Sequence, residues 1–317
     1  MNRIAYMIAL PLVLACAQAP AQMQRPVRIL VPAAPGGPSD VQIRLLVPKM
    51  SEVLGQTLVV DNRASANGVL AGELGAQATP DGSTMSVGNS GTHAINATLY
   101  KKLPYDPIRD FIPVTLFSTT GMVLAANPKL PGSKLQDLIA HAKKNPGQTN
   151  IAIAGATGQL AGDALWLRLG IQMNNVNYKG SAPSEMAVLA GESHLSLLTP
   201  LASAKHLESG KMKGYGITSA QRHPLLPDMP TVAEQGVPGY VMEYWNGLFA
   251  PAKTPMNIVR GMHKAAVTAL QTPEVKDRFK ALGLIIVGNT PEEFAKIVKS
   301  DVEKYRKTIL ESGIPRL

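Results

Sequence analysis

The stretch Val27-Arg28-Ile29-Leu30-Val31-Pro32-Ala33-Ala34-Pro35-Gly36-Gly37-Pro38-Ser39-Asp40, with the periodic segment behind it to Leu54, decides the fold. Val27–Val31 has the length and β-branched content of a buried strand. Past the loop, Val41, Leu45, Leu46, Met50, Val53 and Leu54 recur at helical spacing, and Gly55 ends the pattern. Ser39 or Asp40 is the expected N-cap. A strand entering a helix through adjacent glycines leaves free N–H groups at a positive helix end, which suits an anion. A lone Gly-Gly loop is as readily a tight turn, with Asp40 only a cap. Recurrence of the same unit further along argues for more.

That recurrence is regular. Thr57–Asp61 reads as a strand, Val69–Ala78 as a helix and Thr84–Gly88 as a third strand, ending in Asn89-Ser90-Gly91-Thr92-His93 before another helix start. Right-handed crossovers place both strand-end loops on one sheet edge. Pro104–Pro113 is a surface crossing, followed by strands at Val114–Phe117 and Met122–Ala126; Ser133-Lys134-Leu135-Gln136 opens a helix to Lys144 as a capping box. A second alternation begins at Asn150–Ala154. Its loop, Gly155-Ala156-Thr157-Gly158-Gln159, leads into a helix over Leu160–Leu169. Val176–Tyr178 ends in Lys179-Gly180-Ser181-Ala182-Pro183, and His194–Leu198 ends at Thr199-Pro200, each before a helix. Tyr240–Ala250 is a strand that returns to the first half, and helices at Met256–Gln271, after Thr272 and after Thr290 close the chain. The expected fold class is α/β: two lobes, each a mostly parallel sheet flanked by helices, with a cleft between them. Residues 23–122 and 247–317 form the first lobe and 123–246 the second.

Composition narrows the function classes. Hydrophobic residues at 45% against 17% charged mark a folded chain, and 317 residues suffice for two cores. The net charge of +9 is scattered; its densest cluster, Lys296 to Lys307, is interrupted by Asp301 and Glu303. With few aromatics to stack bases, no nucleic-acid partner is expected, and the field favours small anions. Residues 1–22 read as an export signal: Arg3, an apolar core from Ile4 to Ala15 too short to span a bilayer, then Ala19-Pro20-Ala21 as the cleavage site. The one cysteine, Cys16, lies inside it, so cleavage leaves a thiol-free periplasmic protein; the rival reading lipidates Cys16.

Catalytic patterns are missing. The six histidines have no metal spacing, so no metal is expected. Gly88-Asn89-Ser90-Gly91-Thr92 resembles a nucleophile elbow but carries Thr92 at the second glycine. Gly155-x-x-Gly158 is neither a dinucleotide fingerprint nor a phosphate loop, so no cofactor is expected.

The chain resembles the substrate-binding proteins of tripartite tricarboxylate transporters, the Bug-type receptors, over its whole mature length. The match is carried by Pro35-Gly36-Gly37-x-x-Asp40, Val60-Asp61-Asn62-Arg63, Ser90-Gly91-Thr92-His93-Ala94-Ile95-Asn96, Leu103-Pro104-Tyr105-Asp106-Pro107, Tyr178-Lys179-Gly180-Ser181-Ala182-Pro183, Pro227-Asp228-Met229-Pro230-Thr231, Gly247-Leu248-Phe249-Ala250-Pro251 and Thr290-Pro291-Glu292-Glu293-Phe294. The resemblance implies a receptor that closes on a small carboxylate and delivers it to membrane permease subunits. The implied ligand-binding positions are Pro35, Gly36, Gly37, Asp40, Ser90, Thr92 and His93 in the first lobe. In the second they are Ala156, Thr157, Gly158, Lys179, Gly180, Ser181, Thr199 and Pro200. Three departures stand out: Ala33-Ala34 replaces an aromatic and a proline, Gln159 falls where a histidine is usual, and His194 replaces an aspartate.

The expectation is therefore a monomeric, non-enzymatic receptor using hinge closure, helix ends and hydroxyls to hold an organic acid. The alternatives are an exported hydrolase using Ser90, or a receptor feeding a signalling partner instead of uptake.

Overall fold

The structure is a computed structural model that describes residues 26–178, 181–311 and 315–317. The first lobe contains Val27–Val31 (β1), Pro38–Leu54 (α1), Leu58–Asn62 (β2), Val69–Ala76 (α2), Thr84–Asn89 (β3), a wide π turn at Gly91–Ile95, Asn96–Leu99 (α3) and Phe111–Gly121 (β4). The second contains Val123–Ala126 (β5), Leu135–Lys144 (α4), Asn150–Ile153 (β6), Gly155–Leu169 (α5), Asn174–Asn177 (β7), Ser181–Ala190 (α6), Leu195–Leu198 (β8), Pro200–Glu208 (α7) and Lys213–Ile217 (β9). The chain then returns through Glu243–Pro251 (β10), Met256–Leu270 (α8), Pro273–Ala281 (α9), Ile285–Ile286 (β11) and Pro291–Glu311 (α10).

Both sheets are mixed. The first runs β11-β4-β10-β3-β1-β2, with β1 parallel to β2 and β3 and with β10 antiparallel to β3 and β4. The second runs β7-β6-β8-β5-β9, with β6 parallel to β7 and β8. In each lobe the chain leaves its first parallel strand for one neighbour and comes back to the other. This puts a topological switch point between β1 and β3, and another between β6 and β8. Ligands of open α/β sheets bind at such points, outside the strand C-termini.

The cores follow the sequence periodicities. Ile43, Leu46 and Met50 of α1 are fully buried against Val259, Met262 and Ala266 of α8. Each such apolar side chain is worth about 1.5–3 kcal/mol on burial. β5 shows period-two alternation: Val123 and Ala125 face one cluster, while Leu124 and Ala126 face the other. Gly55 ends α1 in the left-handed conformation at φ 62°, as its place in the sequence predicts.

Three local expectations need correction. The N-cap of α1 is Gly37, not Ser39 or Asp40, because Pro38 takes the first helical position and moves the boundary two or three residues back. Residues 155–159 are the first turn of α5 and not a loop before it. In the capping box of α4, Asp137 and not Gln136 reaches back, accepting from the Ser133 and Lys134 N–H groups at 3.0 Å, while Gln136 Nε2 donates to the Gln235 carbonyl. The last helix starts after Thr290 as expected, and Thr290 and Glu293 exchange reciprocal capping bonds there.

Candidate functional site

The β1–α1 loop is held from inside by Asp40. Its Oδ2 accepts the Gly36 N–H at 2.8 Å, and its Oδ1 accepts Arg44 Nε and Asn62 Nδ2, both at 2.8 Å. Asn62 Nδ2 also donates to the Ala33 carbonyl. Burial pushes the Asp40 carboxyl up, but the bonds from Arg44, Gly36 and Asn62 outweigh it and hold the group below the usual carboxylate range. At 2% exposure this carboxylate is fully committed to the loop, so it organises the site and does not reach into it.

The glycines supply shape. Gly36 has φ +82°, and a Cβ on Gly37 would sit 3.0 Å from the Ala33 Cβ and 3.1 Å from the Ala34 carbonyl oxygen. Their own N–H groups are spent, on Asp40 and on the Ala34 carbonyl respectively. The donors left at this helix end are the N–H groups of Ser39 and Asp40, which as early helical positions have no acceptor within the helix.

The β3 loop turns the side chains of two expected site residues inward. Thr92 exchanges hydrogen bonds with Asn89, each N–H meeting the other's side chain at 2.9–3.0 Å, and it is turned inward at 2% exposure. His93 lies in the aromatic core, stacked on Phe249 at 4.0 Å and edge-on to Phe111. Gly88 makes room for it, since a Cβ there would fall 2.4 Å from His93 Nδ1. Burial lowers the His93 pKa to about 3, which keeps the ring neutral. The His93 ring packs onto the sheet at Phe249, while the Thr92 methyl points toward Gly68 beside Pro32.

Ser90 is fully buried, and among the described residues its Oγ has no partner. His93 Nδ1 bonds instead to Thr92 Oγ1 at 2.9 Å, so among the described residues no base addresses Ser90. The geometry of a serine nucleophile is absent here.

In the second lobe, α5, α6 and α7 all start at the C-terminal edges of adjacent parallel strands. Ala156, Thr157 and Gly158 form the first turn of α5, where N–H groups have no helical acceptor. Thr199 caps α7, its Oγ1 accepting from the Ala202 N–H at 3.3 Å, with Pro200 at the first position. Ser181 begins α6, and its carbonyl accepts from Ser184 Oγ. Lys179 and Gly180 lie outside the described residues. His194 stands at the far end of the sheet, its Nδ1 accepting the Asn150 N–H at 2.8 Å, so that departure from the family pattern is remote from these loops.

The two sets of loops meet. A Cβ on Gly91 would lie 3.7 Å from Thr157 Oγ1, and Gly36 and Thr199 line one cavity of about 230 Å³ between the lobes. Residues unmarked by sequence reasoning complete it. Ser39 Oγ donates to Asn246 Oδ1 at 2.6 Å, and Ser118 Oγ donates to Gln42 Oε1 at 2.7 Å, forming a buried polar floor between α1 and the crossing strands. The signal available was Asn246 itself, a polar residue in the apolar run of β10. A larger groove of about 460 Å³ near Lys101, Arg109, Arg306 and Arg316 is the obvious rival for an anion. Three of its cations are already committed: Arg109 to Asp110, Arg306 to Glu303, and Arg316 to the Thr98 carbonyl.

Two switch points that face each other across a pair of crossing strands define a two-lobed solute-binding protein of the periplasmic type. Similarity to known proteins agrees. The family described as tripartite tricarboxylate transporter family receptor matches residues 42–314, and the chain belongs to it. Protein BugT of Bordetella pertussis is 32% identical, over 91% of this chain and 90% of its own length. The structure of Rhodopseudomonas palustris Rpa4515 with adipate matches with a TM-score of 0.82 at 31% identity, covering 93% of this chain and 99% of that one. MatC (Rpa3494) from the same organism, with bound malate, gives 0.79 at 32% identity, covering 90% and 99%. The family is one of transporter receptors and not of enzymes, and the structure of periplasmic binding protein BugD also matches, with a TM-score of 0.80 at 32% identity, covering 93% of this chain and 99% of that one. Among the described residues no helix is long and apolar enough to cross a membrane.

Proposed function

We propose that this chain captures a small organic carboxylate between its lobes and delivers it to the membrane permease subunits of a tripartite tricarboxylate-type transporter, after export and removal of residues 1–22. The observation that carries the reading is the pairing of Gly36 and Thr199 on one cavity, which sets the start of α1 opposite the start of α7, with Gly91 of the β3 loop beside Thr157 at the start of α5. A helix N-terminus contributes about 0.3–1 kcal/mol to an anion in an exposed setting and up to ~2 when partly buried. Hydrogen bonds to a charged acceptor add about 1.5–3 kcal/mol each. Two or three helix ends with a few such bonds therefore support micromolar affinity, about 8 kcal/mol, without an arginine in the site. Of the ligand positions set out above, Pro35, Gly36, Gly37, Ser90, Ala156, Thr157, Gly158, Lys179, Gly180, Ser181, Thr199 and Pro200 remain proposed to lie at or beside the ligand. The adipate and malate held by the relatives support the carboxylate class.

A thermal-shift screen over mono-, di- and tricarboxylates tests this, since a ligand of the native state raises the midpoint with concentration. At least one acid is expected to do so, while its neutral amide does not. A panel in which no acid stabilises the protein overturns the reading.

A further inference from the structure

The cavity that joins the lobes has a second character. Beside Gly36 and Thr199 it is walled by Pro38 and Val41 of α1, Leu201 of α7, and Leu282 and Leu284 after α9, with Tyr244 at its floor. Leu201 is 43% exposed, an apolar side chain that the second-lobe core leaves out. The side-chain oxygens around the cavity already have hydrogen-bond partners. Thr120 Oγ1 donates to the Gly283 carbonyl, Gln42 Oε1 is taken by Ser118, and Tyr244 OH lies at hydrogen-bond distance from Ser39 Oγ. Among the described residues no cation lines it.

The wall is fixed before any ligand arrives. Gly283, at φ +67°, sets the turn between Leu282 and Leu284. Its carbonyl receives both Thr120 Oγ1 and His223 Nε2 at 3.0 Å, and His223 Nδ1 accepts the Leu225 N–H at 3.2 Å. First-lobe leucines are thus pinned against second-lobe residues next to the carboxylate-binding helix ends.

We propose that this apolar annex receives the hydrocarbon end of the ligand, so that the receptor selects a monocarboxylic acid with an aliphatic or aromatic tail over compact di- and tricarboxylates. This rests on the carboxylate-receptor reading and names its substrate class. A second carboxylate placed here would be desolvated against leucines with no lining cation among the described residues to pair it, which is strongly unfavourable. A hydrocarbon tail gains from the same burial. The volume of about 230 Å³ lies below that of drug-sized pockets, which limits the tail to a small chain or a single ring.

The test is calorimetric titration of the full chain, wild type and Leu201→Asn, with hexanoate and benzoate, with malate and citrate, and with hexanamide and benzamide. Leu201 is exposed at the second position of α7, so the variant is expected to fold as the wild type does. In support, hexanoate or benzoate binds roughly tenfold or more tightly than malate and citrate, and the variant loses on the order of tenfold for the tailed acids while binding the compact ones unchanged. Leu282→Asn gives a second reading of the same wall. Tight binding of malate or citrate with no effect of either variant overturns the annex and leaves the receptor intact. Amides that bind as well as their acids, or no binding by any acid, overturn the receptor reading and the annex with it.

Discussion

Thr218 and Met122 are joined twice: the Thr218 hydroxyl accepts the Met122 N–H at 2.9 Å, and the Thr218 N–H donates to the Met122 carbonyl at 2.9 Å. The same hydroxyl donates to the Met242 carbonyl at 2.5 Å, and the Met242 N–H returns a bond to the Thr218 carbonyl. Met122 lies where the chain leaves the first lobe and Met242 where it comes back, so one buried side chain ties both crossings. Thr218→Val keeps the shape and removes the hydroxyl, leaving a buried N–H and a buried carbonyl without it. The expected loss is about 1–3 kcal/mol in urea denaturation, with Thr218→Ser close to wild type. Equal stability of Thr218→Val and wild type would remove Thr218 from this role.

Asp40→Ala frees the Gly36 N–H, Asn62 and Arg44 together. The first-lobe loop then loses its anchor while the α1–α8 core stays whole. Acid binding is expected to weaken by about tenfold or more, some 1.4 kcal/mol, and the thermal midpoint to fall as well, because the donors around Asp40 lose their acceptor. If Asp40→Ala binds acids as wild type does, the loop is held by its glycines and prolines alone.

His93 and His223 are both held neutral, chiefly by burial, and His93 is lowered to about 3. Their folded pKa values lie below the unfolded value near 6.5, so the unfolded chain binds protons first as pH falls. Stability is full above about pH 6.5 and declines below it, each pH unit costing up to about 1.4 kcal/mol for His93 until its folded pKa is reached. His93→Phe is expected to flatten the decline between pH 6 and 4 in denaturant titrations. An unchanged slope would mean that other groups govern acid unfolding.

Because Gly91 and Thr157 approach across the lobes, a cysteine at each should bridge them on oxidation. The chain's one cysteine is Cys16, so a Cys16→Ser background leaves no other thiol to compete. The Gly91→Cys/Thr157→Cys pair is expected to cross-link and to slow ligand release by at least an order of magnitude. A folded double variant that fails to oxidise would show that these loops stand apart in solution.

Much of the frame was legible from local patterns. The β1–loop–α1 unit, the stop at Gly55 and the alternation that creates the two switch points all follow from periodicity and turn chemistry. What escaped was set by partners distant in sequence. Ser39 and Asn246 are 207 residues apart, and Leu282 and Leu284 join Gly36 only through the returning C-terminal segment. His93 looked like a loop residue because its neighbours are small and polar. Gly88 and Phe249 decide otherwise, by clearing space for the ring and stacking on it. Asp40 was legible as a loop residue but not as a spent one, since Asn62, one of its three donors, comes from the neighbouring strand β2.

The most direct measurement is a crystal structure of the chain with an acid that stabilises it. The carboxylate is expected between the Ser39 and Asp40 N–H groups on one side and the first turns of α5 and α7 on the other, with any hydrocarbon tail against Leu201 and Leu284. An acid found instead in the groove beside Lys101, Arg109 and Arg316, with the cleft between the lobes empty, would contradict the account.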